Sequence, residues 1–129
     1  MNLETPDIPV QKSAEVLYNF LTDFKNFEQI MPENTETFEL RDNGFVFGLK
    51  GMPKIKLKLQ NKIPFSKIIL GSTAEQFPFT LVANIKENKE KSMVNFKFDG
   101  KFNPMISMMV KKPLQKFIDT LSNNLEKLS

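Results

Sequence analysis

A long amphipathic helix closes the chain after a series of short alternating segments, and this order constrains the fold more than any other feature. Over residues 103–128, apolar side chains recur at helical spacing. Asn103 and Pro104 are typical of an N-cap and a first helical residue. Pro113 lacks the N–H for one intrahelical hydrogen bond and predicts a kink. The apolar stripe consists of Met105, Met109, Val110, Leu114, Phe117, Ile118, Leu121, Leu125 and Leu128.

Alternating apolar and polar residues predict antiparallel strands before this helix. The clearest alternation is in residues 54–59, where three lysines separate three aliphatic side chains. Residues 42–44, with the sequence Asp-Asn-Gly, predict a hairpin turn, residues 64–66 predict another turn, and residues 87–91 predict a charged loop. One face of each strand is apolar and the other polar, as in a sheet with one wet side. The predicted inward side chains are Phe45, Phe47, Ile55, Leu57, Leu59, Phe79, Leu81, Phe96 and Phe98.

A short helix is predicted near the N-terminus. Residues 3–11 are predicted to be extended, and their two prolines restrict pairing to a sheet edge. Ser13 is a favourable N-cap, and Pro32 ends a second helical turn over residues 26–31. The apolar helical positions are Val16, Leu17, Phe20, Leu21 and Phe24.

These elements predict an α+β fold, in which a curved antiparallel sheet of about six or seven strands wraps around the long C-terminal helix. The length and the even spacing of the prolines predict one domain over residues 1–129. Such a helix and sheet can leave an apolar cavity between them.

The composition excludes several classes of site. The chain has no cysteine and no histidine, so it has no disulfide, thiolate nucleophile or Cys-based metal site, and it lacks the usual near-neutral general base. No cofactor, metal site or catalytic residue is predicted. The chain has 13 Phe and 7 Met, which indicates a soft apolar core or an apolar pocket.

The charges are dispersed and come mainly from lysine. The net charge is +3, and Arg41 is the single arginine. Lysine is poorly suited to bidentate recognition of bases, so no nucleic-acid partner is expected. The chain shows no secretory signal and no apolar run of about 20 residues, so we expect a cytoplasmic protein without stable membrane insertion. Lys111 and Lys112 are placed to meet an acidic ligand head or, transiently, a membrane surface.

Residues 12–23, with the sequence KSAEVLYNFLTD, resemble the N-terminal signature of the START / Bet v 1-like superfamily, also called SRPBCC. Phe27 and the pair Met31-Pro32 continue the resemblance, and the long C-terminal helix with its internal proline is similar too. The chain looks closest to small bacterial members near the polyketide cyclase/dehydrase and lipid-transport branch. The resemblance implies a helix-grip fold with a hydrophobic cavity between the sheet and the last helix.

The leading functional prediction is non-catalytic binding or carriage of a small hydrophobic ligand, such as a lipid, a quinone or a polyketide-like molecule. The inward strand positions carry no titratable group, which does not favour catalysis. Two alternatives are a protein-interaction module with a filled core and an aromatase/cyclase-type enzyme. An exposed Met108 would favour a functional surface at the start of the last helix over ordinary packing. The candidate ligand-binding residues are Phe27, Met31, Phe47, Met52, Leu57, Phe79, Phe98, Met105, Met109 and Phe117.

Overall fold

The structure is a computed structural model that describes residues 1–72 and 78–128. Within these residues, eight strands form one antiparallel sheet, flanked by two α-helices and a 3₁₀ helix. The strands are β1 (Asn2–Glu4), β2 (Ile8–Val10), β3 (Thr35–Arg41), β4 (Gly44–Leu49), β5 (Ile55–Ile63), β6 (Lys67–Ser72), β7 (Phe79–Asn88) and β8 (Lys91–Gly100). The helices are α1 (Ala14–Thr22), the 3₁₀ helix (Phe24–Ile30) and α2 (Pro104–Leu128).

The sheet follows the order β1-β8-β7-β6-β5-β4-β3, and β2 also pairs with β8. The predicted N-terminal extended segment is therefore two short strands on the same edge. The break falls at Pro6, which has no N–H to donate to a neighbouring strand. Beside it, the buried Thr5 hydroxyl accepts a hydrogen bond of 2.9 Å from the backbone N–H of Phe96, which keeps that strand group satisfied.

The remaining strands are joined by short turns. Asn43 has a φ of 60° between β3 and β4, at the predicted Asp-Asn-Gly hairpin. The connection predicted as a loop over residues 87–91 is shorter, because β7 extends to Asn88, β8 begins at Lys91, and these two residues pair. Lys89, the first of the two turn residues, has a φ of 59°, and a positive φ at this position is common to the favoured two-residue hairpin turns.

Helix α1 begins at the predicted cap. The Ser13 hydroxyl accepts a hydrogen bond of 3.2 Å from the N–H of Val16. Leu17 and Leu21 are buried, whereas Val16 is 50% exposed and Tyr18 is buried in the core. The helix packs against β6, β7 and β8.

Helix α2 also begins as predicted, since the Asn103 side chain accepts a hydrogen bond of 2.9 Å from the N–H of Ile106. It runs unbroken across Pro113 and packs against β1, β2, β8 and the 3₁₀ helix. Its buried stripe is shorter than the predicted one: Met105 and Met109 are exposed, and so in part is Leu128. The fully buried positions of the helix therefore lie between Val110 and Leu125, and half-buried Ile106 also packs against the core. The predicted α+β architecture, a sheet closed by a long C-terminal helix, is confirmed.

Candidate functional site

Phenylalanine rings occupy the core between the 3₁₀ helix, β4 and α2. Phe47 on β4 stacks on Phe117 of α2, with ring centroids 4.9 Å apart and ring planes at 12°. The ring centroid of Phe45 lies 6.0 Å from that of Phe47 and 4.9 Å from that of Phe27 in the 3₁₀ helix. All four side chains are buried. Much of the space that a helix over a sheet could leave open is therefore filled by aromatic side chains.

A pocket of about 370 Å³ lies at the end of this ring stack, between α2 and the β4–β5 connection. Its volume falls in the usual range for small-molecule sites, about 300–1,000 Å³. Buried Leu49 and Phe117 contribute apolar surface, and exposed side chains form the rim. The lining residues are Pro32, Asn34, Leu49, Lys50, Gly51, Met52, Met109, Lys112, Pro113, Lys116 and Phe117.

The sheet side of the pocket is a tight turn. The N–H of Met52 donates to the carbonyl of Leu49 at 3.0 Å, and Gly51 has a φ of +82°. The N–H of Lys50 donates to the carbonyl of Asn34 at 2.9 Å, which holds the turn against the segment before β3. Glycine suits this position because residues with a side chain rarely adopt a positive φ.

The helix side of the pocket contains a turn of α2 that lacks one backbone hydrogen bond. Pro113 has no N–H, so it cannot donate to the carbonyl of Met109 one turn earlier. Both residues line the pocket. The pocket is thus lined by two residues of a helical turn that lacks one intrahelical hydrogen bond.

The fold is similar to that of several solved structures. A START superfamily protein from Mycobacterium smegmatis matches with a TM-score of 0.69 and 14% identity, over 99% of each chain. The KanY protein matches with a TM-score of 0.81 and 10% identity, over 98% of this chain and 95% of its own. The di-domain ARO/CYC StfQ from the steffimycin biosynthetic pathway matches with a TM-score of 0.71 and 10% identity, over 98% of this chain and 50% of its own. No protein-family model and no curated protein sequence matches the chain.

The chain has the START-like, helix-grip fold. The fold implied by the sequence resemblance is confirmed. In this START-like fold, the pocket lies beside the middle of the closing helix, where the fully buried part of the apolar stripe of α2 begins.

The START-like fold brings together three of the ten predicted ligand-binding residues. Met52, Met109 and Phe117 line the pocket. The other seven do not line it. Phe27 and Phe47 lie in the ring stack, Leu57 is buried in β5, Met31 is half-buried next to Pro32, and Phe79 stacks on Phe98 with ring centroids 4.8 Å apart. Met105 is 74% exposed on the first turn of α2.

Sequence reasoning did not identify two of the three lysines at the pocket. Lys112 was expected near the mouth, but Lys50 and Lys116 were not singled out. Lys116 follows Lys112 by four residues, and helical spacing places such residues on one face. Lys50 lies next to Gly51, and only the turn geometry brings it to the same site.

The pocket has a basic rim without neutralising carboxylates. Its lining residues include three lysines and no aspartate or glutamate. Within the described residues, Lys50, Lys112 and Lys116 form no ion pair. The site therefore combines an apolar floor with uncompensated positive charge.

Other kinds of site find no support in the part of the chain that the structure describes. No group of three acidic side chains lies close enough to hold a metal ion. Among residues 1–72 and 78–128, none of the helices is both long enough and apolar enough to cross a membrane. A second depression of about 440 Å³ lies across β1, β7 and β8, and its lining residues are mostly polar.

Proposed function

We propose that the protein is a cytoplasmic carrier or sensor that binds a small hydrophobic ligand in the pocket between α2 and the β4–β5 connection. The observation that carries this proposal is the apolar surface formed there by Leu49, Met52, Met109 and Phe117. Burial of a ligand on this surface stabilises the complex by about 25 cal/mol per Å² of apolar area removed from water, before the cost of immobilising the ligand. The START-like fold supports a binding role.

The pocket favours carriage over catalysis. Its lining residues include no carboxylate and no side-chain hydroxyl, so they provide no carboxylate acid–base pair and no hydroxyl nucleophile. Methionine adapts its shape to different apolar partners, and two of the lining residues are methionines. We therefore expect broad selectivity among lipids, quinones and polyketide-like molecules of suitable size.

Filling the pocket from its rim tests the proposal. Met109 is 70% exposed and lines the pocket, so a tryptophan at this position can occupy the pocket without disrupting the core. Met108, which is 84% exposed and does not line the pocket, provides the matched control. We expect N-phenylnaphthylamine, a neutral dye that fluoresces in apolar surroundings, to bind the unmodified protein and Met108→Trp, and to bind Met109→Trp much more weakly. Equal binding by both variants would place the dye elsewhere and contradict the proposal.

Native mass spectrometry of gently purified protein, followed by solvent extraction, would identify the class of cargo. We expect an adduct with the mass of a lipid, quinone or polyketide-like molecule. The same adduct should be depleted in Met109→Trp and retained in Met108→Trp. An adduct retained at full occupancy in both variants would argue against this pocket as the binding site.

A protein-interaction role is the second candidate, because α2 begins with three exposed methionines. Met105, Met108 and Met109 are 74%, 84% and 70% exposed. Their spacing places them together on one side of the helix. A photo-reactive residue at position 108 should then form discrete crosslinks that are lost in Met105→Gln, whereas one at position 56, on the opposite face of the sheet, should not. Diffuse crosslinking from both positions would reject this candidate.

A further inference from the structure

We propose that the ligand of this pocket is a single-chain amphiphile with an anionic head group, and that Lys112, Lys116 and Lys50 bind the head while the apolar floor binds the chain. This inference rests on the proposed function and adds the chemical class of the ligand.

Positive charge from two separate elements converges on the pocket. Lys112 and Lys116 lie on α2, and Lys50 lies in the turn that faces it across the pocket. Helical spacing puts the first two on one side of α2, where two like charges repel each other and weaken the helix. An anion between them would remove this repulsion.

Within the described residues, these three lysines belong to the majority of cations that form no ion pair with a carboxylate. Lys25, Arg41 and Lys86 each form an ion pair with a carboxylate, at 3.5, 2.6 and 3.0 Å. Lys50, Lys112 and Lys116 form none within the described residues. A ligand carboxylate would therefore meet lysines that are not already engaged by side chains of this part of the protein.

The nearest carboxylate on α2 is held away from the pocket. Residues 101–118 contain four lysines and no acidic residue. The next acid, Asp119, accepts a hydrogen bond of 3.0 Å from the Gln115 side chain, which also donates to the carbonyl of Glu4 at 3.3 Å. Asp119 is thus held on the β1 side of α2, away from the pocket lining.

The geometry also fits the shape of such a ligand. Leu49 and Phe117 are buried at the pocket, whereas Lys112 and Lys116 are exposed. The apolar chain would lie against the buried surface, and the charged head would remain at the partly hydrated rim. Lysine acts as a compact, flexible point charge and does not require a fixed head-group geometry.

Decanoate and decanol provide the test, because they share an apolar chain and differ in charge. Each is used to displace N-phenylnaphthylamine, whose own binding does not depend on charge. The pocket variant is Lys112→Gln with Lys116→Gln. The control is Lys56→Gln with Lys58→Gln, which lowers the net charge equally on the exposed face of β5. Thermal unfolding of both variants verifies that they are folded.

We expect decanoate to bind the unmodified protein and the control variant more tightly than decanol does. In the pocket variant, decanoate affinity should fall about three- to tenfold, the range for two partly solvated ion pairs, while decanol affinity is unchanged. Added salt should weaken the binding of decanoate but not that of decanol. Equal affinities of decanoate and decanol, unaltered by the pocket substitutions, would overturn the anionic assignment and leave hydrophobic binding intact. Failure of both to displace the dye would overturn the anionic assignment together with the proposed ligand-binding function.

Discussion

Phe117 of α2 and Phe47 of β4 stack with their ring planes at 12° and their centroids 4.9 Å apart. This contact attaches the closing helix to the sheet at the edge of the pocket. One face of Phe117 thus belongs to the core, and the residue also lines the site.

Replacing Phe117 by alanine should lower the free energy of unfolding by about 3–5 kcal/mol, because it removes a buried ring and leaves a cavity beside Phe47. Urea denaturation followed by circular dichroism measures this loss. Met108→Ala, on the exposed face of the same helix, is the control and should change stability little. A loss below about 1 kcal/mol would mean that the stacking contact is not formed as described.

The double variant Met105→Gln with Met108→Gln should retain its stability to within about 0.5 kcal/mol, because both side chains are mostly exposed. Leu114→Ala, which truncates a side chain that is 1% exposed on the same helix, should lose about 2–5 kcal/mol. Chemical denaturation of the two proteins side by side makes the comparison. A large loss of stability in the methionine variant would show that Met105 and Met108 pack against the rest of the protein.

Gly51→Ala should destabilise the protein by about 1–2 kcal/mol, although the added methyl group meets no atom within 4 Å. The cost arises from the positive φ of 82°. Gly51→Asn should cost less, since asparagine tolerates the left-handed region better than alanine. Thermal melts of the two variants distinguish a conformational cost, which ranks alanine below asparagine, from a steric cost, which would rank them in the opposite order.

Pro113→Ala should raise the free energy of unfolding by about 1–2 kcal/mol, since a helix-interior proline costs about 3 kcal/mol and its rigidity in the unfolded chain offsets part of that. The new N–H can donate to the carbonyl of Met109. Amide hydrogen exchange at position 113 should therefore be slow. Rapid exchange there, with unchanged stability, would indicate that α2 keeps an open turn without the proline.

Thr5→Val should destabilise the protein by about 1–3 kcal/mol, because the N–H of Phe96 would lose its acceptor in the core. Thr5→Ser keeps the hydroxyl and should lose less. Equilibrium unfolding of the two variants provides the measurement. Similar losses would assign the effect to packing of the threonine methyl group.

Local signals in the sequence predicted the elements of the fold well. The caps at Ser13 and Asn103 depend on side chains within three residues, and strand alternation depends on the local period of the backbone. The extent of burial along α2 could not be predicted, because helical periodicity does not reveal where the underlying sheet ends. Met105 and Met109 continue the apolar stripe in the sequence, but their side chains are mostly exposed.

The pocket was harder to predict than the core. The sequence indicated an apolar face on every strand, but not that rings such as Phe27 and Phe47 would fill the centre and leave space at one end. The pocket depends on contacts between segments far apart in sequence, such as the hydrogen bond from Lys50 to Asn34 and the approach of Lys116 to that turn. Those contacts are set by tertiary structure.

The pairing of β1 and β2 with β8 has a consequence for folding. Leu3 lies opposite Phe98, and Ile8 lies opposite Val94, so this edge of the sheet joins residues that are more than 80 positions apart. Contacts of such high sequence separation slow folding, because a long loop must close before they form. The hairpins from β3 to β8 can assemble from neighbours in sequence, whereas the first two strands, although synthesised first, cannot pair until the last strand exists. Since α2 packs on β1 and β2, docking of the helix completes only after that late closure.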